Sequence, residues 1–115
     1  MEQASSTQVK EGSGGAVCPH FHCAIELIGK RWTGAIVVAL TERPMRYREL
    51  GKAVPGLSDR LLSQRLRELE EEGLVERQVE AGTPVRVTYS LTVVGQELDP
   101  VLSELKSWAR RWKKA

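Results

Sequence analysis

The run SDRLLSQRLRELEEEG, residues 58–73, constrains the fold more than any other stretch of this chain. Leu62, Leu66 and Leu69 recur at helical spacing, Ser58 stands where an N-cap should stand, and Gly73 supplies a C-terminal stop. The apolar stripe is narrow, so the helix must lie on a core with its opposite face in water. Pro55-Gly56 forces a tight turn just before it. Ahead of the turn, MRYRELGKAV places Tyr47, Leu50 and Val54 on one face of a short helix. Behind the long helix, LVERQVE and RVTYSL alternate and are rich in β-formers, with Ala81-Gly82-Thr83-Pro84 between them, which reads as a hairpin.

Two further helices precede this unit and one follows it. Phe21, Ala24, Ile25 and Ile28 recur at three and four residues up to Gly29, and RWTGAIVVAL carries Trp32, Ile36, Val37 and Leu40 until Thr41 to Pro44 breaks it. Thr92 caps a last helix that runs to about Lys113. The order predicts a mainly α fold with a small β-hairpin wing (α+β), a winged helix-turn-helix with an added C-terminal dimerisation helix. At 115 residues the chain has room for one hydrophobic core and not two. Residues 1–16, rich in Ser, Gly, Gln and Thr, are expected to be a disordered tail, and residues 17–115 the domain. No stretch is long and apolar enough for a membrane span and the N-terminus has no signal-like core, so a cytoplasmic protein is expected.

Charge is distributed unevenly. Residues 30–67 hold nine Lys or Arg against Glu42, Glu49 and Asp59, a balance of +6 in a chain whose total is +2. A basic block in a nearly neutral protein points to one face built for a polyanion. On the helix opened by Ser58, the residues Arg60, Ser63, Gln64 and Arg67 fall roughly 100° to 200° from Leu62. Arg can pair with guanine, Gln with adenine and Ser with either, so these four, together with Ser58, are the candidates for base readout in double-stranded DNA. An architectural DNA binder would need only charge, and this face is not simply charged. Phosphate or wing contacts are expected from Lys30, Arg31, Arg46, Arg48 and Arg86. Glu68, Glu70, Glu71 and Glu72 read as a solvated face at the far end of the helix.

In the last helix Val94, Leu98, Val101, Leu105, Trp108 and Trp112 are spaced 4, 3, 4, 3, 4. That is a heptad seam, and it predicts a homodimer interface over Leu98, Val101, Leu105, Trp108 and Trp112 together with the first helix. The alternative is a helix that packs back on its own domain. Pro100 is expected to bend it without interrupting the seam.

Both cysteines and both histidines lie in CPHFHC, residues 18–23. Pro19 suits the first turn of a helix and puts Cys18 at the N-cap, where exposed amides and the helix dipole favour a thiolate, so Cys18 is a candidate redox sensor. Cys23, beside Ala24 and Ile25, reads as a buried, inert thiol. No further Cys or His is available to complete four zinc ligands, so no metal and no cofactor is expected. Nor does any nucleophile stand with a base at a recognised spacing; an enzyme is not expected.

GKRWTGAIVVAL (29–40), RYREL (46–50), PGLSDRLLSQRLRELEEEGLVER (55–77), PVRVTYSLTVVGQEL (84–98) and PVLSEL (100–105), with Cys18-Pro19 before them and Trp108 after, closely resemble the HxlR-type family of bacterial winged helix-turn-helix regulators, related in architecture to the MarR type. The resemblance extends from about residue 17 onward. It implies a homodimeric transcription factor on a palindromic operator, with the fourth helix in the major groove and the wing near the minor groove or backbone. It also implies that the Cys before Pro senses oxidants or electrophiles in some members. Two departures stand out: Gly29-Lys30-Arg31 where the family often has two glycines, and Thr83-Pro84 where it often has Pro-Pro at the wing. A repressor is expected over an activator, because a domain without a second effector module acts most simply by occlusion. A winged-helix module that binds protein is the rival reading.

Overall fold

The leucine stripe of the fourth helix is fully buried in the computed structural model, which describes residues 18–114. The elements run α1 (Pro19–Ile28), α2 (Thr33–Glu42), β1 (Met45–Arg46), α3 (Tyr47–Ala53), α4 (Asp59–Glu71), β2 (Val75–Glu80), β3 (Arg86–Leu91), α5 (Val93–Gln96) and α6 (Leu98–Lys113). The tail predicted over residues 1–16 lies outside the described residues, as does Val17. Leu62, Leu66 and Leu69 of α4 meet Ile36 and Val37 of α2 and Leu50 of α3 in one cluster, closed by Met45, Leu91 and Leu102.

Both ends of α4 are capped as its sequence dictates. The Ser58 hydroxyl accepts the Leu61 N–H at 3.1 Å, which satisfies one amide that has no partner inside the helix. At the other end Gly73 takes φ +80°, its N–H bonds to the Glu70 carbonyl, and the Leu74 N–H bonds to the Leu69 carbonyl, both at 3.0 Å. That pair of bonds is the Schellman arrangement, and it turns the chain directly into β2.

The wing is a three-stranded antiparallel sheet in the order β1-β3-β2. β2 and β3 pair from Val75 with Leu91 at the base to Glu80 with Arg86 at the tip. β1 adds Met45 opposite Tyr89 and Arg46 opposite Thr88. The sequence pattern placed Met45 and Arg46 in the third helix; the structure corrects this, because a strand of two residues gains its bonds from β3, far along the chain, and leaves no local period. Helix α2 also continues through Thr41 and Glu42, past the expected break.

Thr92 caps α5 rather than one long helix. Its hydroxyl accepts the Gly95 N–H at 3.1 Å and donates to the Gly73 carbonyl at 2.6 Å, joining the start of α5 to the end of α4. Gly95 sits so close that a Cβ there would run into the Leu74 carbonyl. α6 begins after Glu97, and Pro100 therefore falls in its first turn, where the missing N–H has no partner inside α6; the interruption between α5 and α6 lies just before it. At the start of α6, half-buried Leu98 packs on the domain's own core, which also holds buried Leu102. Beyond that anchor Val101, Leu105, Trp108 and Trp112, with Phe21 and Ile25 of α1, are each 47–64% exposed. Helix α1 has no buried residue, and only Leu27 and Ile28 at its end pack on the core. Among the described residues no helix is long and apolar enough to cross a membrane.

Truncating a residue in the α4 stripe removes contacts that the surrounding core cannot replace. Leu66→Ala should lower unfolding stability by about 2–5 kcal/mol in urea titration, whereas Val79→Ala on the exposed wing should cost about 1 kcal/mol or less.

Candidate nucleic-acid interface

Burial of one face of α4 fixes what the other face can do. Arg60, Gln64 and Arg67 are exposed, and Arg60 and Arg67 make no ion pair among the described residues. Ser63 is half-buried at the edge of this face. The Tyr47 hydroxyl, on the first residue of α3, donates to the Asp59 carbonyl at 2.5 Å and lies 3.0 Å from the Ser63 hydroxyl. A carbonyl can only accept, so Tyr47 spends its proton on Asp59 and Ser63 donates to Tyr47. These bonds seat the N-terminus of α3 against the N-terminus of α4. Exposed Arg46 and Arg48 thereby sit beside the start of the long helix. Sequence reading treated Tyr47 only as an apolar contact; its phenol oxygen was the signal for this second role. Ser58, expected among the base-reading residues, has its hydroxyl engaged in the cap.

The turn between α3 and α4 is held from the other side. Gly56 takes φ +93°, and the Trp32 ring lies 3.5 Å from where a Cβ at residue 56 would stand. Trp32 itself has φ +77°, an uncommon left-handed conformation for a bulky residue, at the joint between α1 and α2. The Arg31 guanidinium lies 5.4 Å from the Trp32 ring centroid, and the Arg31 carbonyl accepts the Arg65 Nε–H at 2.9 Å. Neighbouring Lys30 pairs with Glu68 at 3.5 Å. Glu68 also takes Arg65 at 3.1 Å and the Gln64 amide at 3.4 Å. The solvated glutamate face predicted for the end of α4 is therefore corrected at Glu68, which bridges two elements; Glu70 likewise lies 3.7 Å from Arg77 of β2.

These contacts set the carboxyls' acidity. Burial pushes Glu68 up, but the Lys30 and Arg65 charges and the Gln64 and Arg65 hydrogen bonds outweigh it and hold it below the ordinary glutamate range. Glu49 is lowered chiefly by the Arg46 backbone N–H, which it accepts at 2.8 Å, and further by Arg43. Burial raises the Tyr89 phenol in the middle of β3.

At the wing tip Arg86 is exposed and faces Glu80 across the ladder. Cys18 is the N-cap of α1, exposed, with extended backbone, and its carbonyl accepts the His22 N–H at 2.9 Å. Cys23 was expected to be buried beside Ala24 and Ile25; all three are exposed, because the described core reaches α1 only at Leu27 and Ile28. Among the described residues no group of three His, Cys, Asp or Glu converges as metal ligands would.

A helix pair with a glycine turn, an exposed row of Arg and Gln on its second member and a β wing beside it defines a winged helix-turn-helix transcriptional regulator. The profile of the HxlR-like helix-turn-helix family matches residues 27–115, and the chain belongs to that family. Its relatives include the uncharacterized HTH-type transcriptional regulator YvaP of Bacillus subtilis, 47% identical over 96 residues that span 84% of this chain and 89% of YvaP. The structure of the reduced transcriptional regulator YodB from B. subtilis superposes with a TM-score of 0.78 at 41% identity, over 84% of this chain and 95% of YodB; YodB has also been solved diamide-treated and quinone-bound. The redox regulator HypR in its reduced form gives a TM-score of 0.75 at 32% identity, over 80% of this chain and 93% of HypR.

Lowered carboxyl pKa values make stability depend on acidity in a defined direction. The contribution of Glu49 and Glu68 is present above the ordinary glutamate value of 4.5 and is lost as pH falls below it through their lowered values. Thermal unfolding followed by circular dichroism should show the midpoint dropping over that window, with a shallower drop in Glu68→Gln.

Proposed function

We propose that this regulator is a dimeric repressor that reads a palindromic operator with α4 and loses it when Cys18 is oxidised or alkylated. The observation that carries the reading is the face of α4: Arg60, Gln64 and Arg67 stand exposed in front of a fully buried leucine stripe. Arg and Gln offer the two-pronged hydrogen bonds that distinguish guanine and adenine in the major groove. Ser63 extends this face toward Tyr47, and Ser58 lies where the helix N-terminus would approach the backbone. Arg46, Arg48 and Arg86 are the phosphate and wing contacts, with Arg31 at the α1–α2 joint; Lys30 joins them only if it leaves Glu68.

The dimer reading rests on apolar surface left exposed among the described residues. Val101, Leu105, Trp108 and Trp112 continue along α6, the two indoles stacked at 5.2 Å, and Phe21 and Ile25 of α1 are equally bare. Leaving two tryptophans in water is costly, and a second copy of the same surface covers them with two-fold symmetry. The oxidant reading rests on Cys18, exposed at a helix N-terminus, and on two similar proteins, one solved after diamide treatment and with quinone bound, the other described as a redox regulator. A module that binds only protein would have no use for an exposed Arg/Gln row beside arginines on α3 and at the wing tip.

An electrophoretic shift on the DNA upstream of the protein's own gene tests the reading. Arg67→Ala or Gln64→Ala should weaken operator binding by about 1–3 kcal/mol and relax base preference, whereas Arg46→Ala should weaken all sequences alike. Diamide should release the operator from the unaltered protein and not from Cys18→Ser. Unchanged specific binding in both α4 variants would refute the assignment of the helix.

Assembly is tested separately. Sedimentation of the unaltered protein should give a dimer, and Leu105→Ala with Trp108→Ala a monomer that no longer holds two half-sites about one helical turn apart.

A further inference from the structure

Glu68 is an acid placed at the edge of the basic block, and it occupies three of the groups around the DNA-reading face at once. It is partly shielded, its side chain 23% exposed, and it lies one turn beyond Gln64 on α4. Its carboxylate oxygens take the Gln64 amide at 3.4 Å, Arg65 at 3.1 Å and Lys30, from the α1–α2 joint, at 3.5 Å. Arg65 in turn donates to the Arg31 carbonyl at 2.9 Å, so it stays anchored independently of Glu68. Lys30 has no second anchor among the described residues, and its side chain is 44% exposed.

Two consequences follow from the chemistry of a carboxylate. Because it can only accept, Gln64 must present its NH₂ to Glu68 and its carbonyl oxygen to the opposite side. An amide that is free to flip can offer donor and acceptor in either order, and only one order matches adenine. Secondly, an ammonium group paired with a carboxylate is not available to neutralise a phosphate, so it contributes nothing to sequence-independent affinity.

We propose that Glu68 is a positioning residue for specificity: it fixes the amide orientation of Gln64 and withholds Lys30 from the DNA backbone. This rests on the reading of α4 as the recognition helix. The role is opposite in sign to that of the surrounding arginines. Glu68 lowers affinity for DNA in general and sharpens the preference for the right sequence.

Glu68→Gln keeps the size of the side chain, removes the charge and lets the amide of residue 64 pair in either orientation. Binding of the full chain to operator and to random duplex is measured against salt concentration, with base preference read by selection from a randomised site. In Glu68→Gln, the log–log salt slope should steepen by about 0.9, the value of one added phosphate contact, and random DNA should bind several-fold tighter at low salt. The position whose preference is lost in Gln64→Ala should be relaxed in Glu68→Gln as well. Adding Lys30→Met to Glu68→Gln should return the slope to its starting value while leaving the relaxed preference. A residue that merely held the fold together would lower binding to both DNAs and leave the slope to Lys30 unaffected. If Gln64→Ala and Arg67→Ala damage recognition but Glu68→Gln changes neither slope nor selection, the proposal is overturned and the DNA reading stands. If none of these variants alters recognition, α4 is not the reading helix and both fall together.

Discussion

Everything in this molecule depends on three leucines of α4 being taken out of water. Leu62, Leu66 and Leu69 are each at most 1% exposed, and the residues that cover them come from α2 and α3, the two helices that must be correctly placed for a helix-turn-helix to exist. Burying a leucine is worth about 1.5–3 kcal/mol, so the stripe outweighs any single polar contact in the structure. The stripe also decides which side chains remain outside. Because the helix cannot rotate without exposing leucine, Arg60, Gln64 and Arg67 are displayed by exclusion. The exposed face is what the packing leaves over.

Polar contacts then refine what packing has placed. Tyr47 ties the two helices at their N-termini, and Thr92 joins the end of α4 to α5. None of these bonds is strong in net terms, since each replaces bonds to water and contributes about 1 kcal/mol. Their value is geometric. They remove the freedom that a helix resting on an apolar stripe would otherwise keep, to slide along its axis or to tilt.

The elements legible in the sequence are those whose signals are local. α4 was readable from its leucine period, its Ser58 cap and its Gly73 stop, and the hairpin from alternation around a Gly/Pro turn. The strand at Met45 was not readable, because its partner Tyr89 is 44 positions away and two residues carry no period. The split between α5 and α6 escaped notice because Val94, Leu98 and Val101 keep helical spacing across it, although the capping contacts of Thr92 belong to a helix of four residues. For the candidate site, residue types singled out Arg60, Gln64 and Arg67, which the structure leaves exposed, while Glu68 looked like one of four similar acids. Only the fold brings Lys30 to it. Cys23 shows the reverse error: apolar neighbours in sequence predicted burial, but burial needs a covering surface, and the described core reaches only the end of α1.

The pairing of β1 with β3 has a mechanical consequence. Strand β1 runs without a break into α3, and α3 is bonded through Tyr47 to the start of α4, so the wing is not a loosely hung flap. A tilt of the helix pair would be carried through Met45 and Arg46 into Tyr89 and Thr88. Helix and wing thus behave as the two jaws of a calliper set to one opening. A surface offering the right chemistry at the wrong separation would engage one jaw and miss the other.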